Sequence, residues 1–171
     1  MEQIKWFDRD FNFSSVQNIF PSIIERLAGT PLRLEEKFKS IPASIQDVRI
    51  DNTWSIKEQV GHLADLEPLW QGRFEDIING RTELRATDLL NTQTTRANHN
   101  ETPADQLLLH FRQLRQQTLQ LLENIDEATI FKSALHPRLK TPMRTMDHFL
   151  FVAEHDDHHL ARITALTKLL C

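Results

Sequence analysis

The segment Glu154-His155-Asp156-Asp157-His158-His159-Leu160 contains three of the eight histidines of this 171-residue chain. Two of them, His155 and His159, are four residues apart, and the surrounding apolar residues recur at helical spacing. Residues four apart lie one above the other on a helix, so these two imidazoles can reach the same cation. At about 100° per residue, His158 falls on the solvent-facing side. The segment therefore predicts a long C-terminal helix that presents a metal-binding face.

The composition indicates an all-α protein. The chain has four glycines, few clustered β-branched residues and no alternating apolar run, which leaves little material for hairpins. Its length suits one helical-bundle domain over residues 1–171. We expect four long helices joined by short connecting pieces. Their predicted spans are Ser14 or Ser15 to about Ala28, Trp54 to about Ile78, Thr102 to about Asn124, and Thr141 or Thr145 to the C-terminus.

Two local patterns set the expected helix ends. Gly29-Thr30-Pro31 should stop the first helix, with Pro21 as a kink or boundary and a separate piece from Arg33 to Ser40. Ser55 and Glu58 have the spacing of a capping box, which predicts the start of the second long helix. Pro68 should bend that helix.

Charge and cysteine content exclude several classes of function. The net charge of −4 and the absence of a basic stripe argue against a nucleic-acid partner. No run approaches about 18 apolar residues, and acids stand where a signal peptide would be apolar, so we expect no membrane partner. The one cysteine, Cys171, cannot form an intrachain disulfide or build a thiolate site. A cytoplasmic location fits these features.

Two acidic residues fall within apolar helix stripes, namely Glu67 and Asp156. A buried carboxylate is costly unless it is paired, so each needs a partner facing inward. The partner could be a histidine N–H, a metal-associated water or an arginine. The candidate arginines are Arg73, Arg112 and Arg115. The two acids could serve catalysis as general bases, or they could only stabilise the bundle through an arginine.

Two segments stand out in the chain, namely Trp54 to Leu63 with Glu67, and His155 to Ile163. They resemble the two signature regions of the DinB/YfiT-like superfamily, and the likeness extends over nearly the whole chain. The resemblance implies a four-helix bundle with a divalent metal held by His62, His155 and His159. It agrees with the helix periodicity, which places His62 on a helix flank and turns His158 outward. The remaining histidines are expected in loop or surface positions; they are His99, His110, His136 and His148.

Three imidazoles suit zinc, nickel or iron, and leave the positive charge of the ion available for polarising a water or a thiol. Asp65, Glu67 or Asp156 could hold the second ring nitrogen of a ligand. By resemblance, the protein could be a transferase using a low-molecular-weight thiol such as bacillithiol or mycothiol. Alternatively, a metal-activated water with Glu67 or Asp156 as general base would make a small hydrolase. A stress-associated metal-binding protein without catalysis is the third reading.

Two further segments carry expectations about partners. The polar stretch from Arg81 to Glu101 lacks periodicity and could line the mouth of the site, with Asn91 or Arg96 contacting a small-molecule substrate. Aromatic residues near the N-terminus could pack within the chain or against a second copy. Since relatives in the superfamily are often dimers, the resemblance implies a homodimer. The aromatic residues are Trp6, Phe7, Phe11 and Phe13.

Overall fold

Four long helices dominate a computed structural model that describes residues 3–51 and 53–171. Each packs against two others: α1 and α2 both contact α4 and α6, so α1 and α2 face each other across a closed bundle. The prediction of an all-α bundle is confirmed. None of the helices in the described part of the chain is long and apolar enough to cross a membrane. The long helices are α1 (Phe20–Phe38), α2 (Ile56–Ile78), α4 (Ala104–Leu122) and α6 (Thr145–Leu170); the short ones are α3 (Thr92–Arg96) and α5 (Glu127–Phe131).

The predicted stop of the first helix at Gly29-Thr30-Pro31 is wrong, because α1 continues through it. A proline inside a helix removes one N–H, which leaves the carbonyl four residues earlier without its helical donor. Here that carbonyl belongs to Leu27, and the buried Arg115 of α4 donates to it at 3.2 Å. A long-range side chain thus replaces the missing hydrogen bond. The helix begins at Phe20, with Pro21 in the first turn, where a proline fits well.

The start of α2 follows the prediction from the capping box. The Ser55 side chain accepts from the backbone N–H of Glu58, and the Glu58 carboxylate accepts from the backbone N–H of Ser55. The later long helices are not capped by the threonines at which their predicted spans begin. Pro103 is the N-cap residue of α4, and Arg144 is that of α6.

The link between α4 and α6 contains a hairpin that the composition did not predict. Strands β1 (Ser133–Leu135) and β2 (Pro142–Arg144) pair antiparallel, with Ala134 opposite Met143. Leu135 also forms a bridge with Glu83, which joins the hairpin to the polar stretch after α2. These pairings bring two connecting segments to the same side of the bundle.

The apolar core is divided into two clusters. One lies toward the start of α1 and contains Trp70 and Phe149; the other contains Leu34 and Phe111. Between them, each long helix contributes a buried polar residue. This layer consists of Thr30 from α1, Glu67 from α2, Arg115 and Thr118 from α4, and Asp156 from α6.

Candidate metal centre

Three buried histidines converge between α2 and α6. His62 comes from α2, and His155 and His159 come from successive turns of α6. One ring nitrogen of each lies within 4.8 Å of the others, and the residues are 3%, 3% and 5% exposed. Within residues 3–51 and 53–171, this is the one group of at least three potential ligand side chains with such spacing.

Hydrogen bonds fix which nitrogen of His159 is available to a metal. Its Nδ1 lies 2.6 Å from Oε1 of Gln59. An amide oxygen can only accept, so Nδ1 carries the proton and Nε2 carries the lone pair. This Nε2 lies 3.1 Å from Nε2 of His155.

The same argument applies to His62 through a chain of three side chains. The Thr94 hydroxyl donates to Asp65 at 2.8 Å, so its oxygen is left to accept from Nδ1 of His62, 3.0 Å away. The proton of His62 is therefore on Nδ1, and Nε2 is available as a ligand. His99 binds the same Asp65 oxygen at 2.9 Å, which holds the carboxylate in place.

Burial keeps all three histidines neutral. It lowers the pKa of His62 to about 4, and lowers the pKa values of His155 and His159 well below the ordinary histidine value. Neutral imidazole is the form that binds a metal. The Nδ1 of His155 is buried without a hydrogen-bond partner in the described chain. Three neutral nitrogens facing one point fit a divalent cation of the zinc, nickel or iron type.

Gln59 and Thr94 were not identified from the sequence as the partners of the ligands. Of the three expected acceptors, Asp65 acts only through Thr94, and Glu67 and Asp156 do not contact the histidines. The sequence could have indicated Gln59, because it precedes His62 by three residues and therefore lies on the same face of α2. Thr94 lies in a stretch without periodicity and offered no such signal.

The structure brings Glu67 and Asp156 to Arg115. The guanidinium donates to Glu67 Oε1 and to Asp156 Oδ2, both at 2.6 Å. The hydroxyl groups of Thr118 and Thr30 donate to the same two carboxylates. Against the effect of burial, the two negative charges raise the pKa of Arg115. Neither acid is among the residues that line the cavity beside the histidines.

The other two candidate arginines have different contacts. Arg112 pairs with Glu35, and Arg73 donates to the backbone carbonyl of Arg85.

A cavity of about 260 Å³ opens beside the three histidines. Aromatic rings form much of its wall, and the Trp54 ring lies 4.5 Å from that of His62. Besides the histidine ligands and Gln59, the lining residues are Trp6, Phe7, Thr53, Trp54, Leu66, Trp70, Arg73, Thr87, Asp88, Leu89, Asn91, His136, Arg138, Phe151, His158 and Arg162.

The expected positions of two histidines, His158 and His148, need correction. His158 is half-buried on the cavity wall, because the N-terminal segment covers it and Trp6 packs 5.6 Å from its ring. His148 is 0% exposed within α6, so its expected loop or surface position is wrong. His99 and His136 lie in connecting segments as expected, although they are only 8% and 2% exposed, and His110 is exposed on α4 as expected.

Of the two proposed substrate contacts in the stretch after α2, one reaches the cavity. Asn91 lines it. Arg96 is exposed at the end of α3 and does not line it.

The aromatic residues near the N-terminus pack mainly within the chain. Trp6, Phe11 and Phe13 contact the apolar core, and Phe7 is 54% exposed. Packing within the chain, one of the two expected arrangements, therefore holds for three of the four aromatic residues.

Comparisons with known proteins agree with the helical-bundle fold. Residues 26–163 match the sequence profile of the DinB superfamily. No curated protein sequence gave a match. YfiT from Bacillus subtilis, described as "a probable metal-dependent hydrolase with an unusual four-helix bundle topology", is similar at 20% identity and a TM-score of 0.81, covering 95% of this chain and 93% of YfiT.

Two further solved structures share the fold. An uncharacterized protein from Clostridium difficile 630 has a TM-score of 0.71 at 14% identity, covering 92% of this chain and all of that one. The colibactin self-resistance protein ClbS, solved in complex with double-stranded DNA, has a TM-score of 0.68 at 17% identity, covering 90% of this chain and 98% of ClbS.

Proposed function

Since the chain belongs to the DinB superfamily, we propose that it is a metal-dependent enzyme that transfers a low-molecular-weight thiol to small electrophiles. The observation that carries the proposal is the set of three neutral, converging histidines on the wall of a largely aromatic cavity. In this proposal, Nε2 atoms of His62, His155 and His159 hold the ion. Thr94 and Gln59 keep the rings oriented.

A divalent ion held there supplies Lewis acidity, which favours the ionised form of a thiol or of water at neutral pH. The chain itself does not provide a cysteine nucleophile to the cavity, since its one cysteine is the exposed Cys171. The nucleophile would therefore enter from solution. The aromatic walls would exclude water and hold an apolar part of the electrophile.

The carboxylates near the cavity favour a thiol over water as that nucleophile. Hydrolysis benefits from a free general base close to the attacking water. Glu67 and Asp156 are occupied by Arg115, and Asp88 accepts hydrogen bonds from the backbone N–H groups of Leu90 and Thr92. A thiol ionises more readily than water and has less need of such a base.

Hydrolysis is the second candidate, because the structural relative YfiT is described as a probable metal-dependent hydrolase. The two activities differ in whether they require an added thiol. The test uses the metal-loaded chain with 1-chloro-2,4-dinitrobenzene and bacillithiol, and separately with 4-nitrophenyl acetate and no thiol. His62→Ala serves as the site variant. His110→Ala is the matched control, since His110 is exposed on α4.

We expect thiol-dependent conjugation that falls by roughly a hundredfold in His62→Ala and is unchanged in His110→Ala. Ester cleavage without thiol, lost in His62→Ala, would instead favour the hydrolase. If neither reaction exceeds the background, the non-catalytic metal-binding reading replaces both.

The proposed partner is a small molecule. ClbS was solved with double-stranded DNA, but the net charge of −4 of the present chain supports a small-molecule substrate over nucleic acid. A homodimer remains a prediction from the family resemblance alone.

A further inference from the structure

Three arginines line the same cavity, and none has a carboxylate within ion-pair distance in the described chain. They are Arg73, Arg138 and Arg162. The contrast with Arg115 is informative, because that buried guanidinium is paired with two carboxylates. The one acid of the cavity wall, Asp88, is exposed and directs its oxygens at backbone N–H groups. The cavity therefore has an excess of positive charge in a chain that is negative overall.

Arg73 is 1% exposed, and its guanidinium is only partly supplied with acceptors. Its Nε donates to the carbonyl of Arg85 at 3.1 Å, and its Nη1 lies 3.3 Å from Nε2 of His136. Its Nη2 is buried and has no partner within residues 3–51 and 53–171. Arg138 has the same deficit at its own Nη2, and its guanidinium lies over the Phe7 ring. Unpaired buried guanidinium groups are costly.

His136 adds a further donor at this place. Its Nδ1 accepts from the backbone N–H groups of Arg138 and Leu139 at 3.2 and 3.1 Å. A neutral imidazole has one donor and one acceptor, so the proton is on Nε2. That N–H points toward Nη1 of Arg73, which is also a donor. Two donors side by side require an acceptor that the protein itself does not supply there.

Electrostatics support the same conclusion. Burial, with the charges of Arg73 and Arg138, lowers the pKa of His136 to about 4, so the ring is neutral at pH 7. Burial lowers the pKa of Arg73 only to about 10. Its guanidinium therefore stays charged at neutral pH and would be stabilised by an anion.

This cluster and the three histidines are parts of one cavity. The Trp70 ring lies 5.5 Å from the Arg73 guanidinium carbon and 5.7 Å from the His155 ring. The Phe151 ring lies 5.6 Å from that of His136 on the same wall. A small molecule can thus contact the cluster at one end and the histidines at the other.

We propose that Arg73, Arg138 and His136 form an oxyanion subsite that holds a carboxylate or phosphate group of the substrate. Planar guanidinium groups match the oxygens of such anions and bind them by paired hydrogen bonds. The inference rests on the proposed function, in which the reactive part of the same molecule faces the histidines. It narrows the substrate class to small acidic molecules with an apolar portion.

The test measures binding to the full chain after metal removal by a chelator. Isothermal titration compares three probes that share an aromatic tail: 3-phenylpropionate, 3-phenylpropyl phosphate and the neutral 3-phenylpropanol. Arg138→Gln is the site variant, because Arg138 is only partly buried in the hairpin connection and its loss should leave the fold intact. Arg81→Gln, an exposed arginine outside the cavity, makes the same chemical change as a control.

We expect at least one anion to bind roughly tenfold or more tightly than the alcohol. Arg138→Gln should largely abolish this preference, and Arg81→Gln should preserve it. The two anions distinguish a carboxylate site from a phosphate site. Equal binding of acid and alcohol, no binding of either anion, or an unchanged preference in Arg138→Gln would overturn the proposal. Since metal is absent throughout, failure of the metal-dependent reaction would not produce any of these results.

Discussion

Single hydrogen bonds decide the chemistry of the three histidines. Gln59 and Thr94 fix the protons of His159 and His62 on Nδ1, which turns both Nε2 atoms toward a common point. A metal ligand whose second nitrogen is held this way has a defined tautomer and ring orientation. The site therefore depends on residues that would never touch the ion.

Thr94→Val tests that dependence. The substitution keeps the shape of the side chain but removes the hydroxyl that links His62 to Asp65. We expect metal affinity to fall by about tenfold, measured by competition with a chromogenic chelator. Thr95→Val is the control, since Thr95 is exposed and its hydroxyl donates to the backbone carbonyl of Asn91, away from the histidines. Equal affinity in both variants would show that the Thr94 contact does not orient the ligand.

The buried carboxylates lead to a second prediction. Glu67→Gln removes a charge that balances Arg115, so we expect the free energy of unfolding to drop by about 3 kcal/mol. The rate per metal-loaded folded chain should change little, because Glu67 does not line the cavity. Glu35→Gln, in the more exposed pair with Arg112, should cost at most about 1 kcal/mol. If the folded, metal-loaded Glu67→Gln protein lost most of its catalytic rate, Glu67 would again be the candidate for the general base.

For single residues, the sequence showed which helix face a side chain occupies, but it did not show which side chains of other helices it contacts. The four-residue spacing identified His155 and His159 as a pair, and the stripe positions showed that Glu67 and Asp156 needed partners. Glu67 and Asp156 pair with Arg115, and not with Arg73 or Arg112, because of the way in which helices distant in the sequence pack together. No periodicity encodes that packing.

Among the elements, α2 has the tightest constraint at a glycine. A Cβ on Gly61 would lie 2.2 Å from the His99 ring, which Asp65 holds in place. A Cβ on Gly72 would meet the guanidinium of Arg85, the flexible end of a partly exposed side chain. The His99 ring near Gly61 is rigid, whereas the Arg85 guanidinium near Gly72 can move.

We therefore expect Gly61→Ala to lower the free energy of unfolding by about 1–3 kcal/mol. Gly72→Ala should cost less, because Arg85 can swing away and alanine favours a helix by about 1 kcal/mol over glycine. Urea denaturation of the two variants at pH 7 gives the comparison. A Gly61→Ala protein as stable as Gly72→Ala would mean that His99 is not fixed as described.

The elements also show where local rules fail. Capping chemistry located the start of α2, since the signal and its effect lie within four residues. Pro31 misled the prediction because Arg115, which compensates for it, is distant in the sequence. The hairpin was missed for a similar reason, as its strands are three residues each and are stabilised by pairing with each other and with Glu83.

Across the whole molecule, a polar layer divides the apolar core, and several histidines are buried as neutral rings. His148 is fully buried, and burial lowers its pKa to about 3 from an ordinary value near 6.5. As the pH falls below about 6.5, the unfolded chain takes up this proton and the folded chain does not. The contribution of His148 to the free energy of unfolding is therefore highest above about pH 6.5, and it decreases progressively as the pH falls toward about 3.

We expect the His148 contribution to decrease the free energy of unfolding by about 2 kcal/mol between pH 7 and pH 5. Urea denaturation in the presence of a chelator measures the change without interference from metal binding. His148→Gln should show a pH dependence that is shallower by this amount, whatever its stability at pH 7. Identical pH dependence in the two proteins would contradict the burial of a neutral ring.

The most direct test of the metal centre is elemental analysis of the purified, tag-free chain beside His62→Ala, His155→Ala and His110→Ala. The account predicts about one zinc, nickel or iron per chain, lost in the first two variants and retained in the third, whose histidine is exposed. A folded protein that takes up neither added zinc nor added nickel, or that holds the same metal content in all four forms, would contradict it.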